Sequence, residues 1–195
     1  MKTFNLLNMK TFLKYPLLAM VFSLFIIACS DDPEPVNEEE LITTLRMTFS
    51  SDGNPDIVFQ FQDLDGDGGD APIFTTNPLA SNTDYQVIIE LLNEAESPVE
   101  IITEEVEEEG ADHQFYFVQN PTGLFSQMNY ADLDTNGMPV GLLNNFTTGN
   151  TNNGTLMVVL RHLPDKSASY QAGEQIPSTA GGETDIQVTF DVVIQ

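Results

Sequence analysis

Two histidines and two aspartate-rich hexads are the residues of this chain best suited to chemistry. Asp63-Leu64-Asp65-Gly66-Asp67-Gly68 matches the opening half of a calcium loop, D-x-D-x-D-G, and Asp70 adds a fourth carboxylate. Asp132-Leu133-Asp134-Thr135-Asn136-Gly137 matches the same half-pattern, with an amide in the third place. Calcium takes roughly six to eight oxygens, and alternate acids in a tight turn converge on one point. An EF-hand would close with Glu at the twelfth position. Those positions hold Phe74 and Leu143, and no helix pair flanks either hexad, so EF-hands are excluded. Two readings remain for each hexad: a calcium-binding turn on a β-scaffold, or a hairpin turn whose Asp and Gly suit its backbone.

His113 follows Glu107, Glu108, Glu109 and Asp112, and His162 precedes Asp165. Imidazole with carboxylates can hold Zn²⁺ or Cu²⁺ without any thiolate. The set this predicts is Glu109, Asp112, His113 and His162, provided the chain brings its two halves together. The spacing carries no recognised metal signature, and a histidine at a strand end is also an ordinary surface group. Catalysis finds less support. The chain contains no G-x-S-x-G elbow, HExxH helix, phosphate-cradling loop or dinucleotide fingerprint. It has one Cys and no Trp, hence no spare thiol nucleophile and no indole platform for sugars. The expected class is non-enzymatic, with no catalytic residues.

The single cysteine has a different chemistry. Lys2, Lys10 and Lys14 precede an apolar run ending Phe25-Ile26-Ile27-Ala28-Cys29, with no acid upstream. Basic start, greasy middle and small end are the profile of a secretory signal, and the run is too short to span a bilayer. Ile26-Ile27-Ala28-Cys29 resembles the lipobox of bacterial lipoproteins, which implies cleavage before Cys29 and lipidation of its thiol. Ser30-Asp31-Asp32-Pro33-Glu34-Pro35 resembles the acidic tether of surface lipoproteins of the Bacteroidota, in which Ser30, Asp31 and Asp32 would act as an export signal. The resulting expectation is a signal peptide over 1–28, a lipidated, acidic and disordered tether over 29–40, and a folded domain over 41–195. That domain would sit on the outer membrane facing outward, with the periplasmic face as the alternative.

After the signal, three basic residues (Arg46, Arg161 and Lys166) stand against all 30 acids, a net charge of −27. Such a field repels nucleic acid and anionic headgroups, and attracts cations and basic protein faces. The chain is nevertheless rich in Val, Ile, Leu and Phe, enough for one sizeable core.

The elements that must position these groups read as strands. Apolar residues alternate with polar ones at Leu41–Phe49, Ile57–Phe61, Tyr85–Leu91, Phe115–Phe117, Leu156–Leu160 and Ile186–Val192. Weaker strands are expected at Phe125–Ala131 and Val140–Thr148. In the first, Leu41, Leu45, Met47 and Phe49 should face inward, and Ile42, Thr44, Arg46 and Thr48 outward. Asp-Gly, Asn-Gly and Gly-Gly pairs punctuate the runs. One helix is expected, with Ser97 as N-cap, Pro98 in its first turn and Glu100 closing a capping box. Val99, Ile102 and Val106 would form its buried stripe, and Gly110 its end. The predicted fold is mainly β: a single immunoglobulin-like antiparallel β-sandwich of about seven or eight strands, with one short acidic helix.

The segments DLDGDGGDAP, IIELLNEAESPVEIITEEVEEEGADHQFYF, VVLRHLPDKS and GGETDIQVTFDVVIQ resemble a family of small flavobacterial outer-membrane lipoproteins. Members often carry the label of the type 1 periplasmic-binding fold, which implies alternating βα units in two hinged lobes. The residues here read instead as many strands and one helix. Small surface lipoproteins of this group work beside TonB-dependent transporters, so the resemblance implies such a transporter, or another basic-faced protein, as a partner. The leading expectation is a lipid-anchored cation-binding accessory to an uptake system. A structural or adhesive module with calcium-stiffened loops is the first alternative, and a Zn²⁺ or Cu²⁺ capture protein the second.

Overall fold

The computed structural model describes residues 41–66 and 68–195. The expected signal peptide and tether, with Cys29, Ser30, Asp31 and Asp32, lie outside the described residues, as does Asp67. Among the described residues nine strands and one α-helix follow in the order β1 (Thr44–Ser50), β2 (Ile57–Gln62), β3 (Ile73–Thr75), β4 (Asp84–Leu92), α1 (Ile102–Glu108), β5 (His113–Asn120), β6 (Phe125–Tyr130), β7 (Leu143–Thr148), β8 (Asn152–His162) and β9 (Glu183–Ile194). They form two antiparallel sheets, of order β3-β2-β1-β4-β7-β6 and β5-β8-β9. Among the described residues no helix is long and apolar enough to cross a membrane, and no alternating βα units occur.

The period-two pattern explains the core. Leu45, Met47 and Phe49 of β1 and Tyr85, Val87, Ile89 and Leu91 of β4 are buried on one sheet. Phe115 and Phe117 of β5, Leu156, Val158 and Leu160 of β8, and Val188, Phe190 and Val192 of β9 are buried on the other. Aromatic rings join the two layers: Phe117 meets Phe146 edge-on at 5.2 Å, and Phe59 meets Phe190 at 5.7 Å. Aromatic contacts of this kind add to the area term rather than replace it.

Strand β5 is an edge of its sheet, yet five consecutive residues from Gln114 to Val118 are buried. The chain from 163 to 182 covers its outer face, where Tyr116 and Val159 pack with Ala180, Ala168, Tyr170 and Ile176. The same stretch satisfies the exposed ladder groups. Gly173 N donates to Phe117 O at 2.8 Å, and Phe117 N donates to the Tyr170 hydroxyl at 2.8 Å. An open strand edge is a template for association, and here it is closed from within the chain.

Several local expectations need correction. Leu41 lies 52% exposed, outside β1, whereas Thr44 is buried, its hydroxyl donating to the Glu94 carboxylate. The helix begins at Ile102 with Ile101 as N-cap and no side-chain cap. Asn93 and Glu100 pair their backbones instead, N to O at 3.0 and 3.2 Å, which removes Ser97, Pro98 and Glu100 from the helix start. Val99 is consequently 48% exposed, while Ile102 and Val106 form the buried stripe as expected. Finally β3, three exposed residues long, escapes any alternation rule and is added at the rim.

Candidate metal centre

One end of the molecule gathers almost every candidate residue. Register places Gln62, Thr44 and Leu92 side by side, with Tyr130 and Leu143 at the same end of the sheet. The Asp63 loop after β2 and the Asp132 loop after β6 therefore share that end. Three strand spacings separate β2 from β7, roughly 14 Å, so the two loops do not combine their carboxylates. Helix α1 leads from the end of β4 to the start of β5 at this same end. The Thr103 hydroxyl pins it, accepting from Leu91 N at 2.7 Å and donating to Leu91 O at 3.1 Å.

His113 opens β5 and His162 closes β8, and the two are direct cross-strand partners. They share the face of Phe115 and Leu160, because alternate residues of a strand point the same way. Their rings stack with centroids 4.7 Å apart and planes 12° from parallel. Glu109, the C-cap of α1, stands four residues before His113. One ligand atom from each of Glu109, His113 and His162 lies within 4.8 Å of the other two. Tetrahedral Zn²⁺, with bonds of about 2.0–2.2 Å, spaces its ligand atoms about 3.3–3.6 Å apart.

Backbone chemistry holds these residues in place. Glu109 O lies 3.2 Å from His113 Nδ1 and accepts Asp112 N at 2.8 Å. His113 is buried at 6% exposure. Beyond His162 the chain turns through Leu163 at φ 51°, a conformation uncommon for a branched residue, and Leu163 N donates to Asp112 O at 2.6 Å. Gly182 packs against the backbone that follows: a Cβ there would stand 2.6 Å from His162 O. Asp112, expected among the ligands, serves through its backbone, with its side chain exposed and outside the cluster.

The aspartate loops are organised differently. Asp132 accepts the amides of Gly141, Leu142 and Leu143 at 2.8–3.1 Å and so ties the loop to the start of β7. Asp134 accepts Asn136 N at 2.7 Å and Met138 N at 2.9 Å on one oxygen, and Lys166 Nζ at 2.8 Å on the other. Burial raises the Asp134 pKa, but the Lys166 hydrogen bond and the two amides outweigh it and hold the carboxyl below its usual range. Lys166 also donates to Gly110 O at the end of α1. Its ammonium thus occupies the position where a bound cation would neutralise Asp134. Asn136 contributes its amide, and its side chain is exposed.

In the first loop Asp65 accepts Asp70 N at 3.1 Å and Gly69 N at 2.9 Å, and the Asp70 amide is the main cause of a lowered Asp65 pKa. Asp70 itself is exposed. Asp63 Oδ1 differs, being buried with no hydrogen-bond donor among the described residues. The comparisons with known proteins add nothing to this geometry: no family model, curated protein or solved structure matches the chain.

Sequence reasoning missed two participants. Lys166 is the counter-ion of Asp134, 32 residues away, and no local pattern announces such a pair. Asp185 lies 3.9 Å from His113 Nε2 through its Oδ2. It precedes the alternating run of β9 and carries no motif of its own.

Proposed function

We propose that the chain is a non-catalytic binding module that captures a transition-metal ion at Glu109, His113 and His162. The observation that carries this reading is the convergence of three ligand atoms within 4.8 Å from two strands and a helix end. Two neutral imidazoles with a carboxylate suit Zn²⁺ or Cu²⁺ better than the hard, oxygen-seeking calcium ion. The surrounding charge favours capture. Arg46 pairs with Glu90, Lys166 with Asp134, and Arg161 donates to the carbonyls of Gly181 and Gly182, so each Lys and Arg among the described residues is locally engaged. The unbalanced acids then raise the local concentration of cations.

The scaffold proposed for this task is immunoglobulin-like. The orders β1-β4-β7-β6 and β5-β8-β9 follow the A-B-E-D and C-F-G pattern of constant-type domains, with the β2–β3 hairpin added outside the first.

Lipidation at Cys29 would hold the module at the outer membrane, and a TonB-dependent transporter is the proposed recipient. A cleft of about 510 Å³ supports a basic partner: Ile88, Leu133, Leu142 and Leu143 line it, with Glu107 and Glu108 beside the metal ligand Glu109. Competition with a chromophoric chelator tests the central step. The purified protein should take up one equivalent of Zn²⁺, and a His113→Ala, His162→Ala variant none. Equal uptake by both would remove the proposal.

A second reading rests on Asp63. Its buried Oδ1, which has no donor among the described residues, favours a cation beside Asp65 in the first loop, in which calcium would stiffen the turn. The module would then be structural or adhesive. A calcium-dependent rise in melting temperature that Asp63→Asn abolishes would support it, and equal melting with and without calcium would exclude it.

A further inference from the structure

We infer that Asp185 is the fourth ligand of the metal centre and that the preferred ion is tetrahedral Zn²⁺. This rests on the proposed Glu109–His113–His162 site and adds to it a residue that stands beside His113 but outside the observed three-residue cluster.

Three observations converge on Asp185. The first is tautomeric. The Glu109 carbonyl can only accept a hydrogen bond, so the 3.2 Å contact puts the proton of His113 on Nδ1. In the neutral ring the lone pair then sits on Nε2. Metal-binding histidines are oriented in this way, with the second nitrogen donating to a carbonyl or carboxylate.

The second is distance. Asp185 Oδ2 lies 3.9 Å from that Nε2, beyond a hydrogen bond and close to the separation of two ligands on one ion. A shift of about half an ångström brings the pair to the edge of a tetrahedron built on bonds of about 2.0–2.2 Å.

The third is the backbone. The β8–β9 ladder pairs Leu160 with Ile186 but Arg161 with Thr184, so Asp185 is the extra residue of a β-bulge. A bulge interrupts the alternation of side chains and re-aims one of them, and bulges gather next to functional sites. Without it, the residue before core-facing Ile186 would point away from His113. The Asp185 side chain is 20% exposed, against 7% for that of His113, which suits a ligand at the mouth of a half-buried site. Two imidazoles and two carboxylates close a four-coordinate shell around Zn²⁺, whereas Cu²⁺ favours a flattened one.

The test compares wild type, Asp185→Asn and Glu183→Gln. Glu183 is the register partner of His162 and serves as the nearby acidic control. Zn²⁺ affinity is measured by chelator competition, and geometry by the visible spectrum of the Co²⁺-loaded protein. Asp185→Asn should weaken Zn²⁺ by at least about tenfold and weaken the intense tetrahedral Co²⁺ bands, while Glu183→Gln leaves both unchanged. Asp185→Ala repeats the measurement if Asp185→Asn alters melting of the metal-free protein. Wild-type affinity and spectrum in both Asp185 variants would overturn the inference while leaving the three-ligand centre standing. Failure of the wild type to bind Zn²⁺ at all would instead remove the centre on which it rests.

Discussion

His113 and His162 stand opposite each other on β5 and β8, 49 residues apart in sequence, with rings 4.7 Å apart. Cross-strand pairing on a shared face brings their nitrogens together without any local motif. Both rings must be neutral to bind a metal, and two imidazolium ions at this distance repel. Acidification should therefore release the ion, with proton uptake on release and proton discharge on binding. Zn²⁺ affinity measured at pH 7.5 and at pH 5.5 should fall by more than the change in chelator competition alone explains. A pH-independent affinity would contradict the imidazole ligands.

Lys166 and Asp134 form a buried ion pair, their side chains 7% and 1% exposed. Removing one partner of such a pair strands a charge, at a cost of roughly 3–5 kcal/mol. Lys166→Met should lower stability by about that amount in urea unfolding. A Lys166→Met, Asp134→Asn double variant should lose less than the two single changes added together, since the stranded charge is gone. Additive losses would show that the pair is not coupled.

Asp134 also predicts a pH dependence. Its folded pKa is depressed, so its contribution to stability is fully present above the unfolded value of about 3.9 and is lost as pH falls through the folded value. Asp134→Asn should flatten the decline of the urea midpoint below about pH 4. An unchanged acid limb would place the acid-sensitive carboxylates elsewhere.

Phe117 is fully buried and meets both Phe146 and Tyr130, the latter at 5.9 Å. Phe117→Ala removes an aromatic side chain from the contact between the sheets and should cost about 3–5 kcal/mol. Chemical denaturation gives the value directly. A cost below about 1 kcal/mol would mean that the two sheets close over the gap.

The strands were legible because each buries one face, and period two is the direct signature of that burial. Ile102 and Val106 were legible for the analogous reason at helical spacing. The helix start was not, because Asn93 and Glu100 pair their backbones and override the capping residues between them. The histidines and Glu109 were identifiable by type, but their meeting depends on β5–β8 register, which residues far apart in sequence decide. Asp185 was hidden twice over, by the β8–β9 register and by a bulge that no alternation rule anticipates. The Asp134 loop resembled a calcium turn because Asp and Gly serve ion binding and tight turns equally well. Lys166 shows how this chain satisfies the carboxylate.

The most direct test is a thermal melt of the purified protein in EDTA and in Zn²⁺, beside the His113→Ala, His162→Ala variant. A ligand at 100 times its Kd adds about 2.7 kcal/mol, which for a domain of this size raises Tm by roughly 5–10 °C. The account predicts that rise in the wild type, its reversal by EDTA, and its absence in the double variant. A Tm unmoved by Zn²⁺, or moved equally in both proteins, would contradict it.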